Sequence, residues 1–203
     1  MDDVVLYDKA GGIATITLNR PDRMNAWTGE LSDALQAYLG EADRDDEVVV
    51  VVITGAGKAF CAGADLGDGE GGFLPVTAED DGRPRLWPYQ VRKPIIAAIN
   101  GHAVGVGITI AMLCDIRIVA EDAKVQYAMV RRGVVPELAS HVILPRVVGF
   151  SRAAELMLTG RMMSGAEAAE LGLASKAVPA AEVLAEATSL AAEMVRNASP
   201  VAL

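Results

Sequence analysis

The sequence predicts an α/β fold of 203 residues. Residues 48–53 form an unbroken β-branched run, the pattern of a strand covered on both faces, and residues 94–99 read as a second buried strand. Segments with helical spacing lie between and after such runs, and strands separated by helices indicate an α/β fold. Hydrophobic residues make up 52% of the chain but aromatics only 4%, so the core must be aliphatic.

The elements follow in order. Ile13, Thr15 and Thr17 alternate with Ala14, Ile16 and Leu18, and a Gly11-Gly12 turn precedes them, which predicts a hairpin in the first twenty residues. A helix is expected from about Thr28, with Leu31, Leu35, Tyr38 and Leu39 on one face. The strand at 48–53 comes next. Residues 67–85 are rich in Gly, Asp and Pro without periodicity and predict a loop. The strand at 94–99 ends in Asn100-Gly101, residues 105–113 predict a helix, and 115–119 a third strand. Helices are expected over 136–148, 151–159 and 164–171. Val178 closes a short strand before a last helix carrying Val183, Ala187, Leu190 and Met194.

Charge narrows the function. With 18 Lys+Arg against 27 Asp+Glu the net charge is −9, opposite to the basic stripe that displaces phosphate counterions, so no nucleic-acid partner is expected. The apolar stretch 103–114 is shorter than the roughly 20 residues that span a bilayer. The acidic start is unlike a signal peptide, which predicts a cytoplasmic chain without membrane attachment. Cys61 and Cys114 lie in apolar surroundings and predict buried thiols, and no metal-ligand spacing occurs.

Two glycine clusters invite a nucleotide reading and fail it. Gly55-Ala56-Gly57-Lys58-Ala59-Phe60 has Phe60 at the third glycine of a dinucleotide fingerprint, and Ala59 where a phosphate loop needs Ser or Thr. Gly105-Val106-Gly107-Ile108-Thr109-Ile110 also lacks the third glycine. Each cluster nevertheless pairs a buried strand with a small-residue turn leading toward a helix, at Ala62-Gly63-Ala64-Asp65 and at Gly105-Val106-Gly107. Peptide N–H groups at such turns have no internal partner and are open to a ligand. Two of them side by side would suit one oxyanion; two tight turns without a ligand is the competing reading.

Lys58-Ala59-Phe60-Cys61-Ala62-Gly63-Ala64-Asp65-Leu66, then Lys93-Pro94-Ile95-Ile96-Ala97-Ala98-Ile99-Asn100-Gly101, then Cys114-Asp115, closely resembles the enoyl-CoA hydratase/isomerase (crotonase) family. Arg23-Met24-Asn25-Ala26 near the start and Gly172-Leu173 later extend the resemblance over nearly the whole chain. It implies one crotonase-like domain over 1–203, a spiral of ββα units with its core at about 1–180. It further implies that the C-terminal helical region from about 181 is incomplete. The implied substrate is an acyl-CoA thioester, with no separate cofactor, and the implied assembly is a homotrimer or dimer of trimers. The implied oxyanion donors are the backbone N–H groups of Ala64 and Val106, the latter where the family usually has glycine. Arg23, Met24, Ala26, Ala62, Asp65 and Leu66 are expected along the CoA groove, with Lys58, Gly105 and Met129 completing the binding set. Arg23 and Lys58 are candidate phosphate partners, although a solvated surface charge explains either equally well.

Hydratases of the family carry two glutamates; this chain has Thr109 and Met129 at the corresponding positions. The resemblance points instead to Glu137, in Gly133-Val134-Val135-Pro136-Glu137-Leu138, where isomerases of the family place a single catalytic glutamate. Val134, Val135, Leu138 and Met129 are expected to strip it of water. An ordinary helix start, with Pro first and an acid next, is the competing reading. His141, four residues on, would share its helical face as an accessory group. The expected chemistry is double-bond isomerisation through a thioester enolate. Hydration by Glu137 and water is one alternative, and a non-catalytic CoA-binding scaffold is another.

Overall fold

The computed structural model describes residues 3–65, 67, 86–197 and 199. Strands β1 (Val5–Ala10) and β2 (Ile13–Leu18) form the expected hairpin. Gly11 and Gly12 both take positive φ, 58° and 84°, as the tight turn between right-twisted strands requires. Strand β2 then pairs in parallel with β3 (Val50–Gly55), β3 with β5 (Ile95–Ile99), β5 with β7 (Ile116–Ala120), and β7 with β10 (Lys176–Val178). Residues 50–53 and 95–99 are buried throughout, as their continuous apolar runs predict.

A second sheet escapes the sequence reading. It contains β4 (Ala59–Cys61), β6 (His102–Val104) and β8 (Lys124–Gln126) in parallel, and β9 (Met162–Ser164) antiparallel to β8. Each strand is three residues long, too short for alternation to register. The chain therefore lays one strand in each sheet in succession: β3 then β4, β5 then β6, β7 then β8. After β6 comes α2 (Val106–Met112), and this repeated passage is the expected ββα winding.

Helix α1 (Gly29–Arg44) is capped by Thr28, whose Oγ1 accepts the Leu31 N–H at 3.2 Å, and it buries Leu31, Leu35 and Leu39. Helix α6 (Val183–Asn197) packs across β2, β3, β5 and β7. Between them stand α3 (Ser140–Val148), α4 (Phe150–Thr159) and α5 (Gly165–Glu170). The interior is mostly Ile, Leu, Val and Ala, with Phe60 and Tyr127 as its large buried rings.

Three expectations need correcting. The helix expected over 136–148 starts only at Ser140, because Leu138 and Ala139 take left-handed backbone, φ 50° and 58°. The helix expected over 164–171 covers Gly165–Glu170, with Ser164 as its cap, accepting the Glu167 N–H at 3.1 Å. The turn at 62–65 follows β4 rather than the long strand at 48–53. The loop expected over 67–85 lies, apart from Gly67, outside the described residues.

Candidate active site

Parallel pairing of β4 with β6 sets the turns that follow them against each other. The contact tolerates no side chains. A Cβ on Gly107 would stand 2.1 Å from the Cys61 carbonyl oxygen, and one on Gly63 would stand 3.1 Å from that of Val104. Gly105, at φ 55°, approaches Gly63, the nearest atom to its would-be Cβ being the Gly63 Cα at 3.9 Å. The two small-residue turns are thus one packed unit.

Hydrogen bonding at Ala64 shows where its peptide points. It forms a parallel bridge with Trp27, in which the Trp27 N–H donates to the Gly63 oxygen at 2.8 Å and the Asp65 N–H to the Trp27 oxygen at 2.9 Å. In a parallel ladder that pattern turns the intervening N–H, that of Ala64, away from the partner strand. The Ala64 N–H has no acceptor among the described residues. Val106 opens α2, so its N–H also lacks an intrahelical acceptor, and it has none elsewhere among the described residues. Both residues are half-buried.

Residues 20–27 brace the first of these turns. Asn25 is fully buried in left-handed backbone, φ 54°. Its Nδ2 donates to the Ala56 oxygen at 2.9 Å and the Ala59 oxygen at 2.7 Å, and its Oδ1 accepts the Arg20 N–H at 2.8 Å. The Met24 oxygen takes the Ala62 N–H at 3.1 Å. Asn100 pins the other side, accepting from the Gly55 N–H at 3.1 Å and donating to the Gly57 oxygen at 3.0 Å.

Asp65 closes this bracing. Its side chain, 14% exposed, receives Arg20 Nη2 at 2.9 Å, Arg23 Nη2 at 3.3 Å and the Gly67 N–H at 3.0 Å. The Arg20 guanidinium, followed by the Gly67 N–H, holds this carboxyl below the usual range. Arg20 also donates to the Ala26 oxygen. Asp65 therefore engages the protein's own cations, and Arg20, which the sequence does not single out, is its principal partner. Arg23 reaches Asp65 from an exposed position, Met24 is exposed beside it, and Ala26 and Ala62 are half-buried on the same brace. Lys58 is exposed on the β3–β4 turn and forms no ion pair among the described residues. Leu66 lies outside the described residues.

The candidate acid/base lies on the segment that leads into α3. Met129, 5% exposed, begins a single 3-10 turn, Met129–Arg132, which Gly133 ends at φ 66°. The chain then runs through half-buried Glu137 and the two left-handed residues into α3, with the Ser140 N–H donating to the Glu137 oxygen at 3.0 Å. Glu137 thus precedes the helix by three residues, and the helix-start explanation for this glutamate fails. The same geometry removes the argument for His141, which lies exposed on α3 and shares no helical face with Glu137. Val134 and Leu138 pack on the core, whereas Val135 is 79% exposed and shields nothing.

What holds Glu137 is a residue the sequence offers only as a missing glutamate. Fully buried Thr109, on α2, places its Oγ1 2.9 Å from Glu137 Oε1. The same hydroxyl lies 3.0 Å from the Val106 carbonyl oxygen. Twenty-eight residues separate Thr109 from Glu137 in sequence, and no local spacing signals that they meet. One carboxylate is thereby tied to the helix that begins with the Val106 N–H.

The remaining candidates have structural partners. His102 Nδ1 accepts the Lys124 N–H at 3.2 Å. Cys61 and Cys114 are buried, which pushes both thiols up to about 12. Among the described residues there is no group of three or more His, Cys, Asp or Glu able to hold a metal ion, and no helix is long and apolar enough to cross a membrane.

Comparison with known proteins agrees with this architecture. The profile of the enoyl-CoA hydratase/isomerase family matches residues 8–202. Enoyl-CoA hydratase ACTT3 of Alternaria alternata is 43% identical over 196 residues, 95% of this chain but 66% of that protein. A probable mitochondrial enoyl-CoA hydratase of Dictyostelium discoideum is 39% identical, covering 91% of this chain and 67% of its own length. The chain thus spans about two thirds of these relatives. Among solved structures, a probable enoyl-CoA hydratase/isomerase from Mycobacterium abscessus superposes with a TM-score of 0.85 at 38% identity, over 98% of this chain and 76% of the other. A monofunctional enoyl-CoA isomerase from M. smegmatis gives 0.81 at 36% identity, over 98% and 88%.

Proposed function

Because the chain belongs to the enoyl-CoA hydratase/isomerase family, we propose that it isomerises the double bond of an enoyl-CoA, with Glu137 as its single acid/base. The observation that carries this reading is the 2.9 Å bond from Thr109 to Glu137, which ties one carboxylate to the helix beginning at Val106. In a 3-enoyl-CoA, Glu137 takes the proton from C2. The C–H electrons move toward the thioester, whose oxygen becomes an oxyanion held by the Ala64 and Val106 N–H groups. The same carboxyl then returns the proton at C4, leaving the double bond between C2 and C3. One carboxylate suffices, because the proton removed is the proton restored.

Peptide N–H donors in a water-poor turn act without reorganising as charge develops, and removal of one such donor elsewhere costs about 2.7–4 kcal/mol. Valine at 106 retains the donor, since the N–H belongs to the backbone, while its branched side chain narrows the approach of the acyl group. Exposed Lys58 is the cation proposed for the CoA phosphates, with Arg23 shared between substrate and Asp65. The active form is proposed to be a homotrimer or a dimer of trimers.

A second reading is hydration of a 2-enoyl-CoA, favoured by relatives described as enoyl-CoA hydratases at 39–43% identity. Thr109 and Met129 in place of carboxylates weigh against it, because neither side chain can take a proton from a water. Assays with 3-enoyl-CoA and 2-enoyl-CoA separate the two. Glu137→Gln should lower isomerisation by about 10²–10⁴-fold, the usual contribution of a positioned proton-transfer group. Unchanged turnover in that variant would defeat the single-base mechanism. Binding of acyl-CoA without turnover of either substrate would favour a non-catalytic scaffold.

A further inference from the structure

We propose that Thr109 is a positioning residue for Glu137, anchoring one carboxylate oxygen so that only the other carries the proton; this rests on the isomerase reading above. A hydroxyl has one hydrogen. Around Thr109 Oγ1 stand Glu137 Oε1 at 2.9 Å, the Val106 oxygen at 3.0 Å and the Gly105 oxygen at 3.4 Å. A helical carbonyl already has an intrahelical donor within reach and carries no full charge, so a carboxylate is the stronger acceptor for that hydrogen. Thr109 is fully buried, and burial between α2 and the 137–139 segment fixes its rotamer.

The consequence concerns the two oxygens of Glu137. With Oε1 held by Thr109, Oε2 is the oxygen left for substrate. When the proton moves to Oε2, Oε1 still accepts from Thr109, so the carboxyl need not rotate between removing the proton at C2 and returning it at C4. Left-handed Leu138 and Ala139 keep Glu137 outside α3, with the Ser140 N–H on its carbonyl oxygen as the local backbone bond. The side-chain anchor therefore does what a helix would otherwise do. Because Thr109 lies one turn after Val106, the anchor also sets the carboxylate's height relative to the proposed oxyanion donor.

The test compares wild type with Thr109→Val, which keeps the branched shape and removes the hydroxyl, and with Thr109→Ser, which restores it. Thermal melts check that each variant is folded. With 3-enoyl-CoA, Thr109→Val should lower kcat by about tenfold or more, the loss of one hydrogen bond to a charged group, with little change in KM. With substrate deuterated at C2, the fraction of deuterium delivered to C4 should fall, since a loosened carboxyl exchanges its isotope with solvent before returning it. Thr109→Ser should recover both. Unchanged kcat and deuterium transfer in Thr109→Val, or a serine variant as impaired as the valine one, would overturn the proposal.

Wild type inactive on 3-enoyl-CoA would defeat the isomerase reading, whether or not it acts on 2-enoyl-CoA. The anchor is then judged by the Glu137 carboxyl 13C resonance at pH 8, identified by its loss in Glu137→Gln. A resonance displaced in Thr109→Val and restored in Thr109→Ser supports the anchor; identical resonances in all three proteins overturn it.

Discussion

Asn25 shows how much of the candidate site hangs on single polar side chains. Buried and left-handed, it makes three hydrogen bonds, one closing the Arg20–Asn25 loop and two joining that loop to Ala56 and Ala59. Asn25→Ala should destabilise the chain by about 2–4 kcal/mol, at about 1 kcal/mol per lost bond plus the carbonyls left bare. Urea denaturation checks this, and a midpoint unchanged from wild type would contradict it. Asp65 makes a pH-dependent prediction. Its folded-state pKa lies below the unfolded value of about 3.9, so its stabilisation is whole above roughly pH 4 and is lost as pH falls through the folded value. Asp65→Asn should melt lower than wild type at pH 7, and the gap should narrow as the pH is lowered below about 4. A gap independent of pH would show that the Arg20 contact is not the cause. Residue-scale reading of the sequence singled out Asp65 and Glu137 as candidates. It missed Arg20 and Thr109, because each acts through a partner 45 or 28 positions away.

The relevant elements are the β4 and β6 turns, and two glycines separate their packing from their backbone conformation. Gly107 has ordinary φ but no room, its would-be Cβ lying 2.1 Å from the Cys61 oxygen. Gly107→Ala must push β4 and α2 apart, and should give little folded protein or a loss of several kcal/mol. Gly105 has room but left-handed backbone, so Gly105→Ala should fold at a cost of about 1–2 kcal/mol. Circular dichroism melts of the pair distinguish the two mechanisms; equal losses would mean that crowding at Gly107 relaxes freely. Elements of five or more residues were legible from periodicity: the hairpin, the strands near 50 and 95, and α1, α4 and α6. The three-residue strands of the second sheet were not, since their pairing depends on partners elsewhere in the chain, whereas the short strand closed by Val178 was. The start of α3 was misplaced because Pro followed by an acid is a common helix start, whereas Leu138 and Ala139 take left-handed backbone that interrupts it.

For the whole molecule, the apolar surface on α4 is the feature with a consequence. Phe150 and Leu158 are 81% and 73% exposed, more open than large apolar side chains in a lone domain need to be. If copies assemble as proposed, this face is a candidate contact. Phe150→Asp combined with Leu158→Asp should then lower the mass measured by light scattering on a sizing column. A wild type that is already monomeric would refute the proposed trimer under those conditions.

Residue type and short-range period were enough for the α/β class and the aliphatic core, and the ordered motifs from Arg23 to Leu173 were enough for the family. The sequence also marked Ala64, Val106 and Glu137 for attention. Tertiary structure alone decided that the two glycine-rich turns pack as one unit, that Asp65 belongs to Arg20, and that Thr109 holds Glu137. Those contacts arise where parallel strands and a helix bring distant segments together, and local sequence carries no record of which distant partner it will meet.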